Sequence, residues 1–525
     1  MKYIDYVQLN PFQKLWYNLS RFFVNLPSNL GKVFSAIGRF FKKIGLSIGK
    51  GFAGYVTRFI RGDWATKLSY VIMGLGNIVR GQIIKGLLFL ASEVLYILFM
   101  LNFGWGYLSK FGTLGTRPSE TLYRTKSGEY VSYPGDYTIE DVRKIYPGAR
   151  KAGEQIYDNS MLILLFGVLV IVITVIFLIV YVRSTKSAYK TQQTAAAGEK
   201  PIGFVAEMKE FLDSKFHVTL LAFPTLTISV FTILPLIFMI LIAFTNFDHA
   251  HHETATLFHW VGLDTFGEVF SVTGGAKVGK TFLELTGWTL IWAVFATVLN
   301  YILGMVVALM INKKGIKLKA LWRTLFVVTI AVPQFVSLLL MSQMLNQNDG
   351  VINHILCDIL HVIPQKMAFL DANVDMWVSR ITVIVVNCWV GIPYTILITS
   401  GILMNIPADL YESATIDGAG PVKSFFKITL PYMLFVTTPY LITSFVGNIN
   451  NFNVIYLLMG DNTSNDLANA GHTDLLVTWL FRLTMNNKDY NIAAAIGILV
   501  FVVCATISLL TFNLTKSAKN EEEFS

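Results

Sequence analysis

The chain has 525 residues, 54% hydrophobic and only 14% charged, with a mean hydropathy of +0.55. That balance excludes a soluble globular domain and a disordered chain, and leaves a polytopic membrane protein. The net charge of +9 calls for no nucleic-acid partner, because Lys and Arg gather in loops that the positive-inside bias assigns to the cytoplasm, while three cysteines (Cys357, Cys388 and Cys504) are too scattered for a disulfide framework or a metal motif.

Residues 1–82 come first and are strongly basic. Between Lys32 and Arg61, Phe34, Ile37, Phe41, Ile44, Ile48, Phe52, Val56 and Phe59 recur every three or four positions. Lys32, Arg39, Lys42, Lys43, Lys50, Arg58 and Arg61 fill much of the rest, which predicts an amphipathic helix, broken at its glycines, on an anionic leaflet. The first apolar run long enough to span begins near Lys85, so no cleavable signal peptide is expected.

Eight spans follow, at about 84–104, 161–182, 217–245, 287–311, 322–345, 378–403, 432–459 and 491–514. Each approaches or exceeds the roughly 20 residues that cross a hydrocarbon core as a helix. An even count puts both termini on one side, and Arg183, Lys186, Lys190, Lys313, Lys314, Lys317, Lys319 and Arg323 assign that side to the cytoplasm. The fold class is therefore an all-α polytopic membrane protein of about eight transmembrane helices. The insert 104–160, with Tyr-rich stretches and turns at Pro134-Gly135 and Pro147-Gly148, predicts a small extracytoplasmic domain. A polar cytoplasmic connector at 183–216, a core at 217–515 and an acidic tail at 516–525 complete the division.

Three features invite chemistry that their context rejects. Gly274–Thr281 matches G-x-x-x-x-G-K-T, but it lies in an extracytoplasmic loop without the α/β setting that a phosphate loop needs. His249, His251, His252, Glu253 and His259 crowd the outer end of the third span, yet show no diagnostic ligand spacing. Glu93 sits mid-span, where a charge costs about 2.5–3.5 kcal/mol on insertion scales. With no second carboxylate or histidine relay, it is expected to make an interhelical hydrogen bond.

The loop 405–431 is the most informative segment. Pro407 and Pro421 can each open a helix, Gly418 and Gly420 allow the reversal between them, and Pro431 is expected to close the second helix. Leu410, Ala414 and Ile416 alternate with Asp409, Glu412, Ser413 and Asp417, predicting one packed side and one acidic side. The positions Glu412, Ser413, Ala414, Gly418, Ile428, Leu430 and Pro431 resemble the EAA loop of bacterial ABC importer permeases, with Ser413 for the first Ala. The resemblance implies a type I importer core whose loop docks into a separate ATPase subunit.

Neutral polar residues form the second signal. Asn387, Gly391 and Tyr394 share one face of the sixth span, and Ser444, Asn448 and Asn451 repeat that spacing in the seventh, with Gly447 on the same side. Amide and hydroxyl faces suit a neutral sugar; the alternative is interhelical hydrogen bonding and close packing. The runs Asn387–Tyr394 and Ser444–Phe452 are similar to the substrate-lining segments of the maltose/maltodextrin importer permease, the MalF-type subunit, as is Gly471–Val477 near the outer mouth. Similarity runs from about Trp288 to the end of the chain. It implies that Asn387, Val390, Gly391, Tyr394, Ser444, Asn448 and Asn451 contact sugar, while Gly447 stands where the family has an aromatic residue and so widens the pocket.

The resemblance further implies a second homologous permease, two ATPase subunits carrying the ATP and magnesium, and an external sugar-binding lipoprotein. No cofactor and no catalytic residue are expected on this chain. The loop between the third and fourth spans is too short for the large extracytoplasmic domain of enterobacterial members, which points to the plasma membrane of a Gram-positive organism. Alternatives are a permease for raffinose, galacto-oligosaccharides or multiple sugars, a secondary sugar transporter, or a non-transporting sensor or scaffold built on the amino terminus and the 104–160 insert.

Overall fold

The computed structural model describes residues 51–514 apart from 135–136, 254–255, 273–276 and 314, with scattered positions between 31 and 50. The chain divides into two compact units, Met1–Val261 and Gly262–Ser525.

The first unit carries three membrane-length helices, Ile83–Phe111, Ser160–Ala196 and Phe216–Ile242. The second of these starts where the Asn159 carboxamide accepts a hydrogen bond from the Leu162 N–H at 3.1 Å. It then overruns its expected end at residue 182 by more than three turns, because nothing breaks it before Gly198 at φ +78°. The connector therefore begins as helix.

Ahead of the first span, residues 51–60 are helical and leave Phe52, Phe59 and Ile60 exposed. The helix runs through Gly51 and Gly54 rather than breaking there. Lys32, Phe34, Ile37, Phe41, Ile44 and Ile48 lie outside the described residues. Two short helices, Trp64–Leu68 and Leu75–Val79, then fold onto the second span. Gly74 (φ +80°) makes that turn possible, since a Cβ there would sit 2.2 Å from the Gly86 carbonyl oxygen. Glu93 accepts a hydrogen bond from the Met73 N–H at 2.8 Å, so the mid-span carboxylate caps this hairpin.

The insert departs from an all-α plan by a small antiparallel sheet in the order β2-β1-β3, with β1 at Glu120–Arg124, β2 at Tyr130–Pro134 and β3 at Arg150–Gln155. Tyr123, Val142 and Ala149 form its core. The helix Ile139–Ile145 opens with a capping box between Thr138 and Asp141. Asp158 anchors the insert to the spans: it accepts from Lys110 at 2.6 Å and from the Thr116 and Arg117 N–H groups at 3.0 and 3.1 Å.

The second unit holds long helices at Lys277–Asn312, Met376–Met404, Pro421–Met459 and Tyr490–Leu509. The fourth and sixth spans pack closely because Gly304 meets Thr395 where a Cβ would lie 2.5 Å from the Thr395 Cβ. Trp288, Trp292, Leu338, Val383, Val386, Val454 and Leu458 form the main apolar core. The fifth span is not one straight helix. Lys319–Ala331 and Gln334–Met344 are bent by 87° at Pro333, which lacks an N–H and holds Val332 extended. The described residues thus hold seven membrane-length helices, or eight if the bent pair counts as one span.

Pro431 does not close a helix. Pro421 opens one that passes through a π-turn at Phe425–Thr429 directly into Leu430–Ile449, with Pro431 in its first turn. Proline inside that continuous helix forfeits one ladder bond, a loss that the π-turn immediately before it can accommodate. The second helix of the loop and the seventh span are one rod. The acidic tail 516–525 lies outside the described residues.

Candidate functional site

Within the second unit, the fourth, sixth and seventh spans enclose a cavity of about 210 Å³ lined by uncharged side chains. Asn387, Val390, Gly391 and Tyr394 line it from the sixth span, and Ser444, Asn448 and Asn451 from the seventh. Gly447 does not line it, and a Cβ at that position would meet nothing within 4 Å, so the expected widening of the pocket there is not realised. Residues not singled out from the sequence complete the lining: Thr297, Asn300 and Tyr301 from the fourth span, Gln334 beside the break in the fifth, and Thr395 and Tyr440. Thr297, Asn300, Tyr301 and Gly304 have helical spacing on one face, a signal that the long apolar run around them hides.

The hydrogen bonds separate two kinds of lining residue. Asn448 donates from Nδ2 to the Thr297 hydroxyl at 3.0 Å, and its carbonyl accepts from the Trp292 indole at 3.1 Å. Asn451 donates to Asn448 Oδ1 at 3.3 Å and caps the helix Phe452–Met459. These two hold helices together as well as facing the cavity. By contrast, Asn387 is only 5% exposed, yet among the described residues its Nδ2 has no hydrogen-bond partner, and neither has Asn300 Oδ1. A buried polar group left unpaired costs about 1–3 kcal/mol. Gly391 allows Asn300 its position, because a Cβ there would come within 2.4 Å of Asn300 Nδ2.

A second, apolar cavity of about 330 Å³ adjoins the first, sharing Gln334, Val390 and Tyr394 and adding Trp389, Phe326 and Ile330. Tyr394 is 45% exposed and forms part of both walls. Together they pair a hydroxyl- and amide-bearing surface with an aromatic one.

The run Gly471–Val477 lies elsewhere. Its residues do not line the polar cavity. The Thr473 carbonyl accepts from the Trp288 indole at 3.0 Å, and the Leu476 N–H donates to Thr289 at 3.1 Å. His472 bridges Glu284 at 2.8 Å and Asp466 at 3.3 Å, and its carbonyl accepts from Arg380 at 2.8 Å. This segment plugs the ends of the fourth and sixth spans.

The loop 405–431 forms a compact knob. Helix Ala408–Ile416 ends with Ala419 N–H donating to the Ala414 carbonyl at 2.8 Å and Gly418 left-handed at φ +74°. Gly420 is extended, so only one glycine carries the reversal. The Tyr411 hydroxyl meets that of Thr429 at 2.8 Å, locking the helix to the seventh-span rod. Ala414, Ile428 and Leu430 are half-buried, while Asp409, Glu412, Ser413, Asp417 and Pro431 are exposed. The expected packed side is only partly realised: Ile416 is 86% exposed and Leu410 is exposed too, so apolar and acidic groups both point outward. None of the three acids makes an ion pair among the described residues.

Residues 300–519 match the family described as binding-protein-dependent transport system inner membrane component. A maltodextrin transport system permease protein of Bacillus subtilis is 32% identical over 86% of this chain and 95% of its own. The chain belongs to the MalF-type permease family. A galactooligosaccharides transport system permease protein of Bacillus subtilis is 35% identical over 69% of this chain and 85% of its own. The MalF permease of Klebsiella aerogenes is 35% identical over 49% of each. The protein is therefore a multi-pass membrane permease of the binding-protein-dependent ABC class.

The decoys find other employment in this permease. Lys280 pairs with Asp466 at 3.1 Å, and Thr281 accepts the Ala468 N–H at 2.8 Å, so the second half of the G-x-x-x-x-G-K-T run tethers a loop; Gly274 to Ala276 lie outside the described residues. His251 bonds Asp248 at 2.7 Å, and among the described residues no group of three or more His, Cys, Asp or Glu could hold a metal ion.

Proposed function

We propose that this permease carries maltodextrin-like oligosaccharides through the cavity between its fourth, sixth and seventh spans. The observation that carries this reading is a membrane-interior lining of amides and hydroxyls with no charged side chain, in which Asn387 Nδ2 and Asn300 Oδ1 lack partners among the described residues. Such a lining can bind neutral hydroxyls without the charge that would retain them. Asn387 and Asn300 supply unfilled hydrogen-bonding capacity, Ser444 and Tyr394 add hydroxyls, and Trp389 and Tyr394 offer ring faces.

Both termini and the knob lie in the cytoplasm in this reading, and the 104–160 insert lies outside. A partner ATPase grips the knob through Asp409, Glu412, Ser413, Asp417 and exposed Ile416. A second permease completes the path, and an external binding protein delivers the sugar. ATP closure would pull the knob and, through the continuous helix from Pro421, tilt the seventh span that lines the cavity.

The 35% identity to a galactooligosaccharides permease supports a second reading of substrate, a galactooligosaccharide. A secondary transporter is disfavoured because Glu93, the carboxylate it would need, is engaged by the Met73 N–H. The deciding experiment measures ATP-dependent uptake of maltotriose, galactotriose and raffinose by the reconstituted assembly. Preference for maltotriose is expected; preference for galactotriose would move the assignment to the second reading, and uptake without ATP would end both.

A further inference from the structure

Helix Phe204–Leu212 lies against the basic end of the first two spans and encloses with them a groove of about 350 Å³. Phe204, Met208 and Phe211, at positions i, i+4 and i+7, line it from that helix, opposite Leu88, Phe89 and Val180. Two bonds fix the wall: Gln82 donates to the Ile202 carbonyl at 2.8 Å, and Lys85 pairs with Glu207 at 2.5 Å. Arg183 lines the same groove and makes no ion pair among the described residues.

Charge and setting identify the occupant. Lys85 and Arg183 against Glu207 leave one unbalanced positive charge, the complement of a phosphodiester monoanion. The apolar wall opens toward the bilayer, since Leu88 is 57% exposed and Ile84, Leu87 and Ile179 beside it are exposed as well. A water-soluble ligand would not be offered that surface, whereas a lipid would. The volume is at the small end of the roughly 300–1,000 Å³ of ligand pockets, which suits one acyl chain. Basic pockets between transmembrane helices select anionic headgroups.

We propose that this groove is a binding site for an anionic phospholipid, with one acyl chain along Phe204, Met208 and Phe211 and the phosphate at Arg183 and Lys85. The helix leads within four residues into the third span at Phe216, so a bound lipid would brace the elbow before that span.

The test reconstitutes the full chain in nanodiscs of phosphatidylglycerol, phosphatidylcholine or both, then counts retained lipids by native mass spectrometry after transfer to detergent. Phosphatidylglycerol should be retained in preference. Arg183→Gln should lower that retention by about fivefold, and Arg183→Lys should restore it. Met208→Trp, which fills the groove, should lower retention with the charge intact. Equal retention of the two lipids, or unchanged retention in either Arg183→Gln or Met208→Trp, would overturn the proposal.

Discussion

Asn387 and Asn448 face the same cavity but stand on opposite sides of a stability argument. Replacing Asn387 by Leu removes an amide nitrogen that has no partner among the described residues, so thermal stability should hold or rise by up to about 1–3 kcal/mol. Uptake should nevertheless fall sharply. Asn448→Leu breaks the bond to Thr297 and should lose about 0.5–1.5 kcal/mol together with uptake. Melting curves read beside transport assays separate the cases: transport surviving both substitutions would remove the cavity from the sugar path. The spacing of Asn387, Gly391 and Tyr394 made this face legible in the sequence. Asn300 was not legible, because its relation to Gly391 exists only across two packed helices.

At the level of elements, the knob's turn rests on one left-handed residue. Proline fixes φ near −65°, so Gly418→Pro cannot reproduce φ +74° and should misplace the knob. Membrane insertion should persist while ATP-driven uptake is lost, as cell fractionation and transport assays would report; normal uptake would argue against a coupling role. The insert has its own anchor. Burial would raise the Asp158 carboxyl, but Lys110 and the Thr116 and Arg117 N–H groups outweigh it and hold the carboxyl below its ordinary value. A depressed carboxyl stabilises the fold above its unfolded value and loses that contribution as pH falls through the folded one. Protection of the β1 amides, measured against their intrinsic exchange rate at each pH, should fall below about pH 4, and Asp158→Asn should remove that pH dependence. The prolines of the loop are readable in the sequence, yet Pro431 does not end its helix, because the π-turn at Phe425–Thr429 that lets the rod run through it leaves no mark in composition.

For the whole molecule, the number of crossings depends on the bent pair around Pro333. If Lys319–Ala331 and Gln334–Met344 together cross the membrane, the half-buried Cys357 faces outside, while Cys388 and Cys504 are buried in spans. A membrane-impermeant maleimide should then label intact cells at Cys357. Labelling only after permeabilisation would make the pair a re-entrant loop and reverse the side assigned to the knob. Hydropathy located every apolar segment, but it recorded a run of suitable composition at 322–345 and could not register a change of direction inside it.

The fracture has a mechanical corollary. Pro333 has no N–H to surrender, and Gln334 hangs from the first turn beyond it, beside the polar cavity. The two halves can swivel about this point without melting a turn of helix. A rotation about that joint would carry Gln334 with it and so reshape the wall the two cavities share.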